Sequence, residues 1–242
     1  MSGNASPRLT VSALTVAFGG LTALKNVSFT VEADETVALI GPNGAGKTTV
    51  FNAVCSLVRP KSGSISINGR PAPDSTSALL EQGVSRTLQG LGLFSGLTVL
   101  ENVLVPLTSL RQRTAAAQTA AAMLERLSLG SYAQAPVDSL PYAMRKRVAL
   151  ARALVTNPSL LLLDEPAGGL SREDISDLAD LVRSLRTQGN AVLLVEHHVD
   201  FVMEVADRVV VLDFGEVVAI GTPDEVRSDP AVEAAYLGLE AA

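Results

Sequence analysis

One short stretch limits what this chain can become. In "ALIGPNGAGKTTVFNAV", the pattern Gly41-x4-Gly46-Lys47-Thr48 sits between an apolar run of strand character and a helix-forming run. Glycines let such a loop wrap closely around phosphates, so that the backbone N–H groups from Gly41 through Asn43, Gly44, Ala45 and Gly46 to Thr49 point inward. The helix N-terminus adds the positive end of its dipole, Lys47 a mobile charge, and Thr48 a hydroxyl suited to Mg2+. The competing reading is a glycine-rich turn with a solvated lysine. At average glycine content the pattern arises by chance on the order of once in a hundred chains of this length. The strand before it and the helix after it favour a nucleotide's phosphates.

The rest of the chain supplies the frame for such a loop. The first 70 residues read as strands with turn punctuation: "RLTVSALTVAF", "NVSFTVEA", "ETVALI", and "GSISING" running into an Asn-Gly turn. From Thr98 to Gly130 the pattern is helical, with a Thr98/Glu101 capping box ahead of "VLENVLV" and an alanine-rich run after it. From Ser159 onward, short apolar runs alternate with amphipathic helices, as in βαβ units around a parallel sheet. The fold class expected is α/β: a P-loop NTPase core, RecA-like, with an N-terminal antiparallel β subdomain. One domain over residues 1–242 is expected, with a helical subdomain at about 90–156 inserted in the core.

Three apolar runs, "LLLLD", "AVLLVE" and "RVVVLD", end in acids, and ligands of open α/β sheets lie outside the carboxyl ends of the strands. In "LLLLDEP", Asp164 is placed to hold the Mg2+ ligand shell and Glu165 to face a water in line with a γ-phosphate. An isolated pair of strand-end acids is usually solvated; a phosphate loop upstream reverses those odds. Phe51 and Cys55, on the helix after the loop, read as core.

Composition narrows the partners. Hydrophobic residues make up 47% and charged residues 18%, which is a folding composition, and a net charge of −6 offers phosphate backbones no general attraction. A nucleic-acid role is disfavoured. The single cysteine gives no disulfide, so a cytoplasmic setting is expected. The apolar runs are too short to cross a bilayer, so membrane association is expected through a partner rather than by direct insertion.

Five ordered elements then carry a family resemblance: the loop at Gly41 to Thr49, Gln89 in "RTLQG", "LPYAMRKRVALARAL", "LLLLDEPAGGL", and His197 in "LLVEHH". Together they resemble the ATP-binding subunits of ABC transporters across nearly the whole chain. The phrases "FGGLTALKNVSF", "RTLQGLGLFSGLTVLENVLV" and "GTPDEVRSDPAVEAAYLG" are most similar to the ATPases of branched-chain amino acid importers. The resemblance implies ATP and Mg2+ as cofactors, transmembrane permease subunits and a second ATPase subunit as partners, and a peripheral place on the cytoplasmic face of the cell membrane. It also implies that Phe18 stacks on adenine, although a core phenylalanine at a strand end is nearly as good a reading. Gln89 would reach Mg2+ and the attacking water, and His197 the γ-phosphate. His198 takes no role and is read as surface.

The segment from Leu140 to Met144 departs from the family. Relatives usually read LSGGQ there and close this segment on ATP held by the other subunit. Here Pro141 removes a hydroxyl and a backbone N–H, Ala143 adds a Cβ where glycine permits close approach, and Met144 replaces a polar side chain. Losing one charge-assisted hydrogen bond costs about 1.5 to 3 kcal/mol, so the segment is weakened rather than abolished. Ser171, where relatives carry Asp or Asn, reads as a helix N-cap with Asp174. The leading expectation is an importer ATPase that dimerises with a second ATPase subunit, a distinct subunit being favoured by the altered segment and a second copy of this chain being the alternative. The alternatives are a nucleotide-gated dimerisation module with marginal turnover and a soluble, non-transport ATPase of the same family.

Overall fold

The computed structural model describes residues 6–87, 90–108, 113–186 and 189–237. The chain runs β1 (Leu9–Phe18), β2 (Leu21–Val31), β3 (Thr36–Ile40), α1 (Lys47–Val54), β4 (Ser62–Ile67), β5 (Arg70–Pro71), β6 (Val84–Arg86), α2 (Val99–Leu104), α3 (Arg113–Arg126) and α4 (Tyr142–Leu154). It continues with β7 (Leu160–Asp164), α5 (Arg172–Arg186), β8 (Ala191–Val195), α6 (Val199–Val205), β9 (Arg208–Asp213), β10 (Glu216–Gly221), α7 (Pro223–Arg227) and α8 (Pro230–Leu237).

Two sheets result. The N-terminal strands form an antiparallel sheet in the order β2-β1-β4-β5, closed by a turn in which Asn68 and Gly69 both adopt positive φ, 50° and 73°, as an Asn-Gly hairpin turn requires. The larger sheet runs β10-β9-β3-β8-β7-β6, parallel except for the edge strand β10.

The central strands are apolar on both faces because both are covered. On β7, Leu161 and Leu163 face one core while Leu160 and Leu162 face the other; on β3, Ala38 and Ile40 oppose Val37 and Leu39 in the same way. One layer is filled by α1 and the antiparallel sheet, where Phe51 and Cys55 are fully enclosed. The other is filled by residues of α2 through α8. Each enclosed Leu or Phe contributes about 1.5–3 kcal/mol, so this double-sided burial holds the central strands, and with them the strand ends, firmly in the core.

Local chemistry sets the helix boundaries. Thr98 and Glu101 form the reciprocal capping box at α2, and Thr222 with Glu225 repeats it at α7. Ser171 Oγ accepts from the Asp174 N–H at 3.2 Å and donates to its carboxylate at 2.6 Å, so this serine caps α5. Pro141 is the N-cap of α4, and Asn157, in the left-handed region at φ 49°, turns the chain out before Pro158.

Candidate nucleotide site

β3 ends at Ile40 against β8 and β9, and the loop that follows is shaped by its glycines. Gly41, Gly44 and Gly46 have φ of 147°, 83° and 104°. A Cβ on Gly41 would lie 2.0 Å from the Leu212 carbonyl oxygen, and one on Gly46 2.6 Å from Leu24 Cδ2. A Cβ on Gly44 would meet nothing within 4 Å. Two glycines are therefore required by the wall of the fold and one by backbone conformation alone. Ala45 anchors the loop: its N–H donates to Pro42 O at 3.2 Å, and its carbonyl accepts from Gly215 N at 3.0 Å. Tyr236 of α8 lies close to the Gly41 backbone.

Lys47 opens α1, and its Nζ donates to the carbonyls of Gly41 and Pro42 at 2.7 and 2.8 Å. Burial lowers the Lys47 pKa, and the nearby Glu165 carboxylate partly offsets this. Asn43 and Thr48 are exposed and Thr49 is half-buried, so the loop's outer rim is open to solvent.

The acids come from the end of β7. Asp164 pairs in register with Val195 of β8, and its N–H donates to Thr87 Oγ1 at 3.2 Å. Burial raises the Asp164 pKa; Arg86 opposes the shift and Glu165 adds to it. A half-buried carboxylate beside a second carboxylate favours a bound cation. Oxygen donors of this kind, the Thr48 hydroxyl and the Asp164 carboxylate, are hard ligands that suit Mg2+.

Glu165 adopts φ 46°, an uncommon conformation for a side chain of its size. Its N–H donates to Val195 O at 2.9 Å, and its carbonyl accepts from Lys146 Nζ at 3.1 Å and Gly168 N at 3.2 Å. Its carboxylate lies 3.9 Å from His197 Nδ1. His197 is exposed and its ring sits 4.8 Å from that of His198, the N-cap of α6.

Glu196 was not singled out by sequence reasoning, yet its side chain is wholly enclosed. Oε1 accepts from Ala167 N at 2.7 Å, and Oε2 from His197 N at 2.8 Å and His198 N at 3.0 Å. The ligand atoms of Glu196, His197 and His198 lie within 4.8 Å of one another, but three backbone donors already engage the carboxylate, which makes it an anchor rather than a metal ligand. Lys146 was likewise unassigned; it donates to Pro166 O at 2.8 Å as well as to Glu165 O.

The structure thus brings Lys47, Asp164, Glu165 and His197 to the carboxyl end of the parallel strands. Phe18 lies at the end of β1, paired with Leu21, and is 52% exposed; a core role, the competing reading, is excluded because a strand end at a two-residue turn leaves its ring outside both cores. Ala143 is half-buried and lines a cavity of about 250 Å³ with Lys146, Asp164 and Glu165 of its own chain. Met144 packs against the helical core, and the Tyr142 ring is 41% exposed beneath Lys146, 5.6 Å from its Nζ. Gln89 lies outside the described residues.

Comparison with known proteins gives a consistent result. A model of the ABC transporter family matches residues 24–168, and one of the branched-chain amino acid ATP-binding cassette transporter matches residues 216–242. The high-affinity branched-chain amino acid transport ATP-binding protein LivG of Salmonella typhimurium is 40% identical, over 96% of this chain and 98% of its own. BraF of Pseudomonas aeruginosa, of the same description, is 39% identical with the same coverage. Among solved structures, a nucleotide-free ATP-binding cassette from an ABC transporter superposes with a TM-score of 0.86 at 28% identity, covering 96% of this chain and 99% of that one. The ADP conformation of MJ1267, another such cassette, gives 0.86 at 27% identity and the same coverage.

Proposed function

This chain belongs to the ABC transporter ATP-binding family, and from that membership we propose that it hydrolyses MgATP to drive import of branched-chain or closely related amino acids through transmembrane permease subunits. The observation that carries the reading is the convergence of Lys47, Asp164 and Glu165 at one end of the parallel sheet, with His197 beside Glu165.

Phosphoryl transfer requires positioning and charge compensation more than covalent participation. The N–H groups from Gly41 to Thr49, including those of Asn43, Gly44, Ala45 and Gly46, would cradle the phosphates, with Lys47 as the mobile cation. Thr48 and Asp164 would hold Mg2+, which when bound neutralises charge on the phosphate oxygens; Gln89 is assigned to the same shell. Glu165 would orient the attacking water and His197 would contact the γ-phosphate. Phe18, exposed at the turn after β1, is free to stack on adenine.

Among the described residues no helix is long and apolar enough to cross a membrane. The family membership supports a peripheral position on the cytoplasmic face, held there by the permease subunits. The Leu140–Met144 segment supports pairing with a distinct second ATPase subunit: this chain's own nucleotide would be hydrolysed against a partner's intact segment, while the reciprocal site, using Ala143, would be slow. The same segment favours one other reading, a nucleotide-gated dimerisation module with marginal turnover. Steady-state hydrolysis by the reconstituted transporter separates the two. Loss of activity in Glu165→Gln supports the enzyme; equal rates in parent and variant support the module.

A further inference from the structure

We propose that Glu196 is a positioning residue for turnover: its carboxylate ties the loop that carries Glu165 to the loop that carries His197, and so sets the spacing between those two side chains. The inference rests on the roles assigned to Glu165 and His197 above.

The two loops leave adjacent parallel strands, β7 and β8, and strand register alone fixes them only as far as Asp164 opposite Val195. Beyond that point the chains diverge into Pro166–Leu170 on one side and α6 on the other. Glu196 is the first residue past β8 and its side chain turns back across the gap. Oε1 takes the Ala167 N–H at 2.7 Å, two residues after Glu165, while Oε2 takes the N–H groups of His197 and His198. One carboxylate therefore bridges both loops through three charge-assisted bonds, shielded from water by a side chain that is 0% exposed.

Glu165 needs this restraint. Its φ of 46° is a conformation that persists only where the surroundings over-determine it. Val195 O holds its N–H, Lys146 Nζ holds its carbonyl and that of Pro166 from the α4 side, and Glu196 holds Ala167 from the β8 side. The result is a Glu165 carboxylate 3.9 Å from His197 Nδ1. A neutral residue of the same size cannot reproduce it: in glutamine one oxygen becomes an NH2 group, which cannot accept from a backbone N–H, so one side of the bridge is lost whichever way the amide is turned.

The test compares Glu196→Gln, Glu165→Gln and the parent in the reconstituted transporter, with MgADP affinity measured by calorimetry and backbone amide shifts by NMR on the isolated full chain. The expected result for Glu196→Gln is a kcat about ten- to a hundredfold lower with KM and MgADP affinity within about twofold, and displaced amide resonances for Ala167 or for His197 and His198. Parental kcat, or a loss of MgADP affinity matching the loss of kcat, would overturn the inference; the second result would mark Glu196 as structural only. Parental turnover by Glu165→Gln would instead remove the functional reading itself, and the positioning role with it. Parental turnover by Glu196→Gln beside an inactive Glu165→Gln would sink the positioning role alone.

Discussion

Lys47 Nζ donates to the carbonyl of Gly41, six residues earlier, at 2.7 Å, so the cation of the phosphate loop also closes the loop on itself. With Pro42 O taken as well, two of the three ammonium donors serve loop geometry and one remains for an anion. Lys47→Ala therefore removes both a phosphate contact and the strut that curves the loop. The expected effect is MgATP binding weakened by at least about ten- to a hundredfold, from the loss of a charged hydrogen bond, as read by calorimetry. Parental affinity in this variant would dismiss the loop as a nucleotide site.

The three glycines of that loop are predicted to respond unequally. Gly41→Ala drives a Cβ into the Leu212 carbonyl and must displace backbone, while Gly46→Ala drives one into the Leu24 side chain and crowds the Ala23 carbonyl at 3.0 Å, so both variants disturb the wall around the loop. Gly44→Ala meets open space and bears only the cost of a positive φ, about 1–2 kcal/mol. Thermal melting should rank Gly44→Ala nearest the parent, with the other two lower by several degrees or unfolded. Equal losses at all three would show that backbone conformation, not the wall around the loop, sets the glycine requirement.

Much of this site was legible because local patterns and long-range burial agree. The loop at Gly41 to Thr49 has a motif with a physical reason, and the apolar runs before Asp164 and after Asn190 announce strands whose ends face a ligand. Capping residues Thr98, Ser171 and Thr222 can be read from spacing alone. What escaped is what depends on partners distant in sequence. Glu196 reads as one more strand-end acid, since nothing nearby signals that Ala167, 29 residues earlier, donates to it. Lys146 reads as one cation in a basic helix run, and its contacts with Glu165 and Pro166 exist only once α4 packs beside β7. Phe18 was ambiguous for a simpler reason: the last residue of a strand faces a core or solvent according to the turn that follows.

Cys55 supplies a pH dependence of stability. Its thiol is enclosed at the end of α1 and burial pushes its pKa up, with Arg86 opposing. An acid whose folded pKa is raised favours the folded state while neutral; that contribution is full below the unfolded thiol pKa and is lost as pH climbs through it toward the folded value. Stability should therefore fall above about pH 8.5, where the unfolded thiol ionises, and the fall should be shallower in Cys55→Ala. Urea denaturation of both proteins at pH 7.5 and 9.5 measures it. An identical alkaline loss in the two would show that other groups, such as the half-buried Tyr236, whose pKa burial also raises, carry the effect.

Restoring the altered segment tests the origin of the proposed asymmetry. In the triple variant Pro141→Ser, Ala143→Gly, Met144→Gln, the first change places a hydroxyl and an N–H at the N-cap of α4, where serine is well suited. The other two work against the fold: glycine in the first helical turn costs about 0.5–1 kcal/mol, and Met144 gives up contacts with the helical core. The variant should melt a few degrees lower yet hydrolyse ATP faster, because the site it offers a second copy of itself regains a donor worth about ten- to a hundredfold in rate. Steady-state turnover by the purified chain, plotted against ATP concentration, gives the answer, with positive cooperativity expected to emerge in the variant. Unchanged turnover in a folded variant would locate the limit elsewhere, in the permease partner or in the spacing of Glu165 and His197, and would remove the case for a dedicated second subunit.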